Sequence, residues 1–191
     1  MDKRIYTMQP PLIIIVDSEI VLRSTITAHA DEIFNLVDKN RNYLQEWLPW
    51  VVHTVTVQDT ISYIAGINHH DIYSESFGFS IFYGQHIVGK IGFVRGIKAE
   101  RQLEIGYWLA EDMQGLGIIS RSVKKLVKFG FENSDARTIK ISANIQNKKS
   151  CSIAERLAFR KGQPVIKPSK DHNNDIVMAN YFLQASDHLW W

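Results

Sequence analysis

Gln114, Gly115 and Gly117 stand where an apolar strand pattern gives way to an amphipathic helix pattern, in the stretch LEIGYWLAEDMQGLGIIS from Leu103 to Ser120. Two glycines at such a junction leave successive backbone N–H groups bare of bulky side chains, and the start of a helix adds more of them. That arrangement suits anion binding, and the spacing places a phosphate or pyrophosphate on the amides of Gln114–Ser120. A plain helix entry with no ligand fits the same spacing. A dinucleotide fingerprint does not, because Ser120 stands where its third glycine would be. Gly84–Lys90 matches most of a nucleotide P-loop, but Ile91 replaces the magnesium-binding Ser or Thr and the segment reads as a hairpin.

Other chemistry-bearing side chains lie on either side of this turn. Glu104 sits in an apolar or small run and alternates onto one face with Gly106 and Trp108. A half-buried carboxylate there suits proton abstraction, and a salt-bridged structural Glu is the alternative. Asn147 precedes a short helical pattern as a preferred N-cap, with Ser150 three residues on. His69 and His70 are adjacent, which is not metal-ligand spacing on a helix, and they are expected in an exposed loop. Cys151 has no partner thiol and reads as a buried helix residue. No metal site is expected.

These groups have to be positioned by regular elements. Leu12–Val16 and Ile20–Ile26 read as strands, and Ile33, Leu36 and Val37 mark a first helix after Thr27. Trp47-Leu48-Pro49-Trp50 interrupts it, since proline stops a helix. Thr56 and Asp59 form a capping box for a second helix. Phe77–Tyr83 and Ile87–Val94 read as a hairpin turning at Gly84-Gln85-His86. Leu103–Ala110 is a strand, a helix then runs to about Asn133, and Thr138–Ala143, Ser150–Phe159 and Ile176–Leu183 read as strand, helix and strand. The fold class is α/β (an α+β mixed sheet): a central, mostly antiparallel twisted sheet with helices on both faces.

Length and composition set outer bounds. The chain has 191 residues, which suits one domain over 1–191, and apolar residues make up 45%. Lys plus Arg less Asp plus Glu is 22 − 20 = +2, too small an excess for a chain that grips nucleic acid. The early apolar run, Leu12–Val16, is too short to span a membrane, and the lone cysteine agrees with a cytoplasmic location.

Several segments together resemble one family. Gln114-Gly115-Leu116-Gly117-Ile118 is similar to the Q/R-x-x-G-x-G/A acetyl-coenzyme A loop of the GNAT N-acetyltransferase superfamily. Glu104–Leu109, Asn147-x-x-Ser150, Glu155–Phe159, Leu22-Arg23 and Trp47–Trp50 resemble, in order, segments of its RimJ/RimL branch. Ile119, Leu116 and Ala158 depart from the usual residues at their positions; Leu116 removes a common cationic phosphate contact.

The resemblance implies a GNAT fold and direct attack of a primary amine on acetyl-CoA. The first acceptor it suggests is the N-terminal α-amine of a ribosomal protein. A small amine such as a polyamine or an antibiotic-like molecule is the alternative, and a non-catalytic acyl-CoA-binding protein is the reading from another class. It implies Glu104 and Ser150 as catalytic groups, Ser150 facing the nascent thiolate in place of the usual Tyr, whose position holds Ala154. Leu109, Ala110, Gln114, Gly115, Leu116, Gly117, Ile118, Ile119, Ser120 and Asn147 would hold the coenzyme. Trp47, Trp50 and Tyr107 would line the amine pocket; Arg121, on a helix face that otherwise reads as a solvated stripe with Lys124, Lys125 and Lys128, lies in the first helical turn within reach of a coenzyme phosphate. A homodimer through Trp190-Trp191 is a further reading.

Overall fold

The computed structural model describes residues 11–67, 69–74, 76–168 and 175–187; Trp190 and Trp191 lie outside them. Within that range the chain runs β1 (Ile13–Ile15), β2 (Ile20–Ser24), α1 (Ala30–Lys39), α2 (Arg41–Leu44), α3 (Val57–Ala65), β3 (Phe77–Tyr83), β4 (His86–Ile97), β5 (Gln102–Leu109), α4 (Ile118–Glu132), β6 (Thr138–Asn144), α5 (Lys148–Arg156), β7 (Arg160–Lys161), β8 (Val165–Lys167) and β9 (Ile176–Gln184). One sheet orders the strands β1-β2-β3-β4-β5-β6-β9-β7, with β8 also on β9. Among the described strands only β5 and β6 pair in parallel.

Alternation sends the two sides of each strand into different cores. On one face Phe77, Phe79, Ile91, Phe93, Leu103, Ile105, Ile139 and Ile141 pack under α4 and α5. Val123, Leu126 and Val127 supply the helix side, at the helical spacing of the sequence. On the other face α1 and α3 cover Phe82 and Ile87 with Ile33, Val37 and Ile64. Helices on both faces are therefore observed. The capping box at α3 is also present: Thr56 N–H donates to Asp59 Oδ2 at 2.7 Å, and Asp59 N–H to Thr56 Oγ1 at 3.4 Å.

The feature that matters for the site is a divergence in the middle of the sheet. β5 and β6 pair only from Gln102–Thr138 to Ile105–Ile141. Beyond that rung β5 stays with β4 as far as the Leu109–Gly89 pair, and β6 stays with β9 as far as Asn144–Met178. Each strand follows its outer neighbour, so a wedge opens between their carboxyl ends. In sheets with parallel strands, that is where ligands bind.

Candidate active site

A cavity of about 1680 Å³ occupies the wedge. Its wall includes Gln114, Gly115 and Gly117–Ser120 of the turn on the α4 side and Trp50, Tyr63, Lys90 and Trp108 on the α1/α3 side. The gap between β5 and β6 thus joins the two faces of the sheet.

The turn has the form its glycines allow. Gly115 and Gly117 both have positive φ, +79° and +71°, a conformation that costs an L side chain roughly 1–2 kcal/mol. Gly117 is the N-cap of α4 and supplies no side-chain cap. The helix closes its first internal bond from Arg121 N–H to Gly117 O, so the amides of Ile118, Ile119 and Ser120 belong to an uncapped first turn. Arg121 lines the same side of the cavity and is held by ion pairs. It donates to Asp17 at 2.8 Å, Glu19 at 3.0 Å and the Leu116 carbonyl at 3.1 Å, which fastens the turn to the β1–β2 corner. Two cations missed in the sequence reading line this side of the cavity: Lys149, bonded to Gln114 Oε1 at 2.7 Å, and Arg156, 3.4 Å from Ser120 Oγ. They come from α5, and only the fold brings them to the turn.

Along β5 the amides alternate between edges. Ala110 N–H donates to Val88 O at 2.9 Å, so it faces β4 and is not free. The Leu109 amide then faces the opposite edge, and so does that of Tyr107 two residues earlier. Both lie beyond the last β5–β6 rung, and Tyr107 and Leu109 line the cavity.

Tyr107 and Ser150 meet across the gap, their hydroxyls 3.0 Å apart. The Tyr107 phenol is pushed up to about 12, first by burial. It therefore turns toward α5, whereas Trp108 turns to the other face and packs 6.3 Å, centroid to centroid, from Trp50. Asn147 caps α5 by accepting the Ser150 N–H at 3.0 Å and also lines the cavity. Ala154 is fully buried in the helix face, and Cys151 is buried as the sequence reading had it.

Glu104 pairs with Lys140 at 3.4 Å, and both side chains are largely buried. The pair spans adjacent parallel strands one rung before they separate. The cavity wall starts one residue later, at Ile105. Trp47 and Trp50 border the α1/α3 side, Trp50 on a 3-10 turn over Pro49–His53. Arg41 staples that turn through the carbonyls of Val51 (2.7 Å) and Thr54 (2.8 Å). His69 is not exposed as expected. It is 8% accessible and bonded to Gly78 O at 2.8 Å, because the loop before β3 folds back onto the sheet.

The comparisons with known proteins agree with this geometry. Residues 19–160 match the family model described as an acetyltransferase (GNAT) domain. The chain belongs to the GNAT acetyltransferase family.

Among GNAT relatives, the ribosomal-protein-serine acetyltransferase of Escherichia coli (strain K12) is 30% identical over 146 residues, 75% of this chain and 80% of that protein. A structure of RimL, the ribosomal L7/L12 alpha-N-protein acetyltransferase, in complex with coenzyme A is 27% identical with TM-score 0.83, covering 91% of this chain and 98% of that one. The microcin C7 self-immunity acetyltransferase MccE, in complex with acetyl-CoA and AMP, shares the fold with TM-score 0.84 at 23% identity, over 93% of this chain and 98% of that one. The chain is accordingly an acetyltransferase with acetyl-CoA as co-substrate. The GNAT residues present fit such a molecule: the turn offers bare amides at Gly115 and Gly117, and the β5 edge offers unpaired amides along the gap.

Proposed function

We propose that this GNAT enzyme acetylates the N-terminal α-amine of a protein, as the names of its relatives state for them. The observation that carries the mechanism is the wedge between β5 and β6, which connects an amide-lined cradle on one face to a tryptophan-walled pocket on the other.

The chain's own groups then divide the work. The amides of Gln114–Ser120 take the diphosphate, with Lys149 and Arg156 alongside. Leu116, Ile118 and Ile119 contribute backbone rather than side chain, since the buried Ile118 and Ile119 side chains face the core. Asn147 shapes the coenzyme arm's passage along α5. Leu109 N–H, on the edge of β5 that faces the gap, would serve the carbonyl that must gain negative charge, the role of an oxyanion donor. Ser150, hydrogen-bonded to Tyr107, donates to the departing thiolate. The pair fills the role usually given to a Tyr at the position of Ala154. Trp47 and Trp50 border the acceptor's approach. Glu104 accepts the amine's proton through a water, its charge held by Lys140. Holding both reactants in the gap supplies the orientational part of the rate.

The test is mass spectrometry of peptides incubated with enzyme and acetyl-CoA. One acetyl group on the α-amine of an unblocked ribosomal-protein N-terminal peptide, and none on polyamines or amino sugars, is expected. Acetylation of only the small amines would reject the acceptor assignment. Glu104→Gln should lower kcat about 10²-fold or more, while coenzyme A affinity stays within about threefold.

A further inference from the structure

Lys90 of β4 is an unusual residue for its place. It is 6% exposed and lines the cavity beside its cross-strand neighbour Trp108. Its ammonium lies 3.1 Å from the Tyr63 hydroxyl and 4.2 Å from the centroid of that ring. Among the described residues no carboxylate forms an ion pair with it. One turn before Tyr63 on α3, the Thr60 hydroxyl is also buried, lines the same cavity and has no hydrogen-bond partner.

The acids nearby are otherwise engaged. Asp59 Oδ2 accepts from Val55 N–H, Thr56 N–H and the Thr56 hydroxyl. Glu32 accepts from Ile87 N–H. Arg23, His29, His69 and His70 are the further charged or titratable groups around Lys90, and Glu46 and His53 line the same cavity; no carboxylate contributes to the environment of Lys90, which is set by burial alone. A buried cation with no counter-charge is costly, and so is a buried hydroxyl with no partner. Both deficits are removed if an anion enters from the cavity.

We propose that Lys90, Tyr63 and Thr60 form a carboxylate subsite at the acceptor end of the cavity, which reads an acidic side chain near the N-terminus of the acceptor. The inference rests on the α-amine reading above and deepens it: the acceptor carries Asp or Glu within its first few residues. The ion pair would form at the buried Lys90 ammonium and Thr60 hydroxyl, beside Trp50 and Trp108, where such a contact discriminates between acid and amide. Tyr63 and Thr60 would supply hydrogen bonds to the same carboxylate.

The experiment compares kcat/KM for short peptides that have Asp or Glu, against Asn or Gln, at the second or third residue. Wild type should prefer the acidic member of each pair roughly 10- to 100-fold. Lys90→Met, which keeps the length of the side chain, should bring acid and amide peptides to the same value, and Thr60→Val should narrow the ratio. Equal use of both peptides by wild type, or an acid preference that survives Lys90→Met, would overturn the subsite. If no peptide is acetylated, the acceptor assignment fails and the subsite is judged by calorimetry with glutarate against glutaramide in the presence of coenzyme A. Glutarate binding that Lys90→Met abolishes sustains it, and absence of glutarate binding to wild type overturns it.

Discussion

At the scale of residues, hydroxyls and one amine set the chemistry of the site. The Tyr107–Ser150 contact links a phenol from β5 to a hydroxyl from α5. Ser150→Ala should therefore reduce kcat about 10²-fold while the coenzyme A dissociation constant, read by calorimetry, moves less than about threefold. Tyr107→Phe should fall in between, since Ser150 keeps its hydroxyl but loses its partner. Lys90 gives a prediction about stability. Burial pushes its pKa down from the ordinary 10.5 to about 7. Between those values the unfolded chain binds a proton that the folded chain does not, so the stability of the wild type rises with pH across this window. Lys90→Met should be more stable than wild type at pH 7 by about 2–4 kcal/mol, and the gap should narrow toward pH 10. Urea unfolding at the two pH values measures it. His29 and His69, whose pKa values are lowered by burial, and Tyr63, whose pKa is raised by it, titrate outside this range. A gap that stayed constant would show that Lys90 is charged throughout.

At the scale of elements, the turn before α4 and the strand before it carry the site. Gly117 sits at φ +71° as the N-cap, and Arg121 fastens the same turn to Asp17 and Glu19. Gly117→Val should cost about 1–2 kcal/mol by urea unfolding and weaken coenzyme A binding about tenfold or more, because the strained turn misaims its amides. Arg121→Ala should weaken binding less and should not alter the acceptor preference, because Arg121 fastens the turn on the α4 side of the cavity. These elements were legible from local pattern. Glycines at a strand–helix junction, the Thr56–Asp59 box and the alternation in β3 to β5 each depend on neighbours in sequence. β7 and β8 were not legible, because two and three residues are too few to show a period. Nor was the buried state of His69, which is set by a bond to Gly78 across the start of β3.

At the scale of the whole molecule, the site exists because two parallel strands part company. Nothing in the local sequence of Ile105–Leu109 or Ile141–Asn144 announces that separation. It follows from each strand's longer pairing with its outer neighbour, Leu109 with Gly89 and Asn144 with Met178. The same long-range geometry brings Lys149 and Arg156 to the turn, ties Glu104 to Lys140 and aims Lys90 at Tyr63. Residue types at Glu104, Tyr107 and Ser150 marked them as chemically interesting, but their partners are 36 to 43 positions away in the chain. Sequence similarity supplied the family and the order of the segments; the division of labour among side chains needed the fold.

In the proposed reading, the gap between β5 and β6 and the turn of Gly115 and Gly117 together seat the acetyl carrier. A crystal structure of the enzyme with coenzyme A tests it most directly. The expected density has the diphosphate on the amides between Gln114 and Ser120, the pantetheine arm against the Leu109 edge of β5, and the thiol near Ser150. A diphosphate held elsewhere, or an arm lying outside the wedge with β5 and β6 zipped together past Ile105 and Ile141, would contradict it.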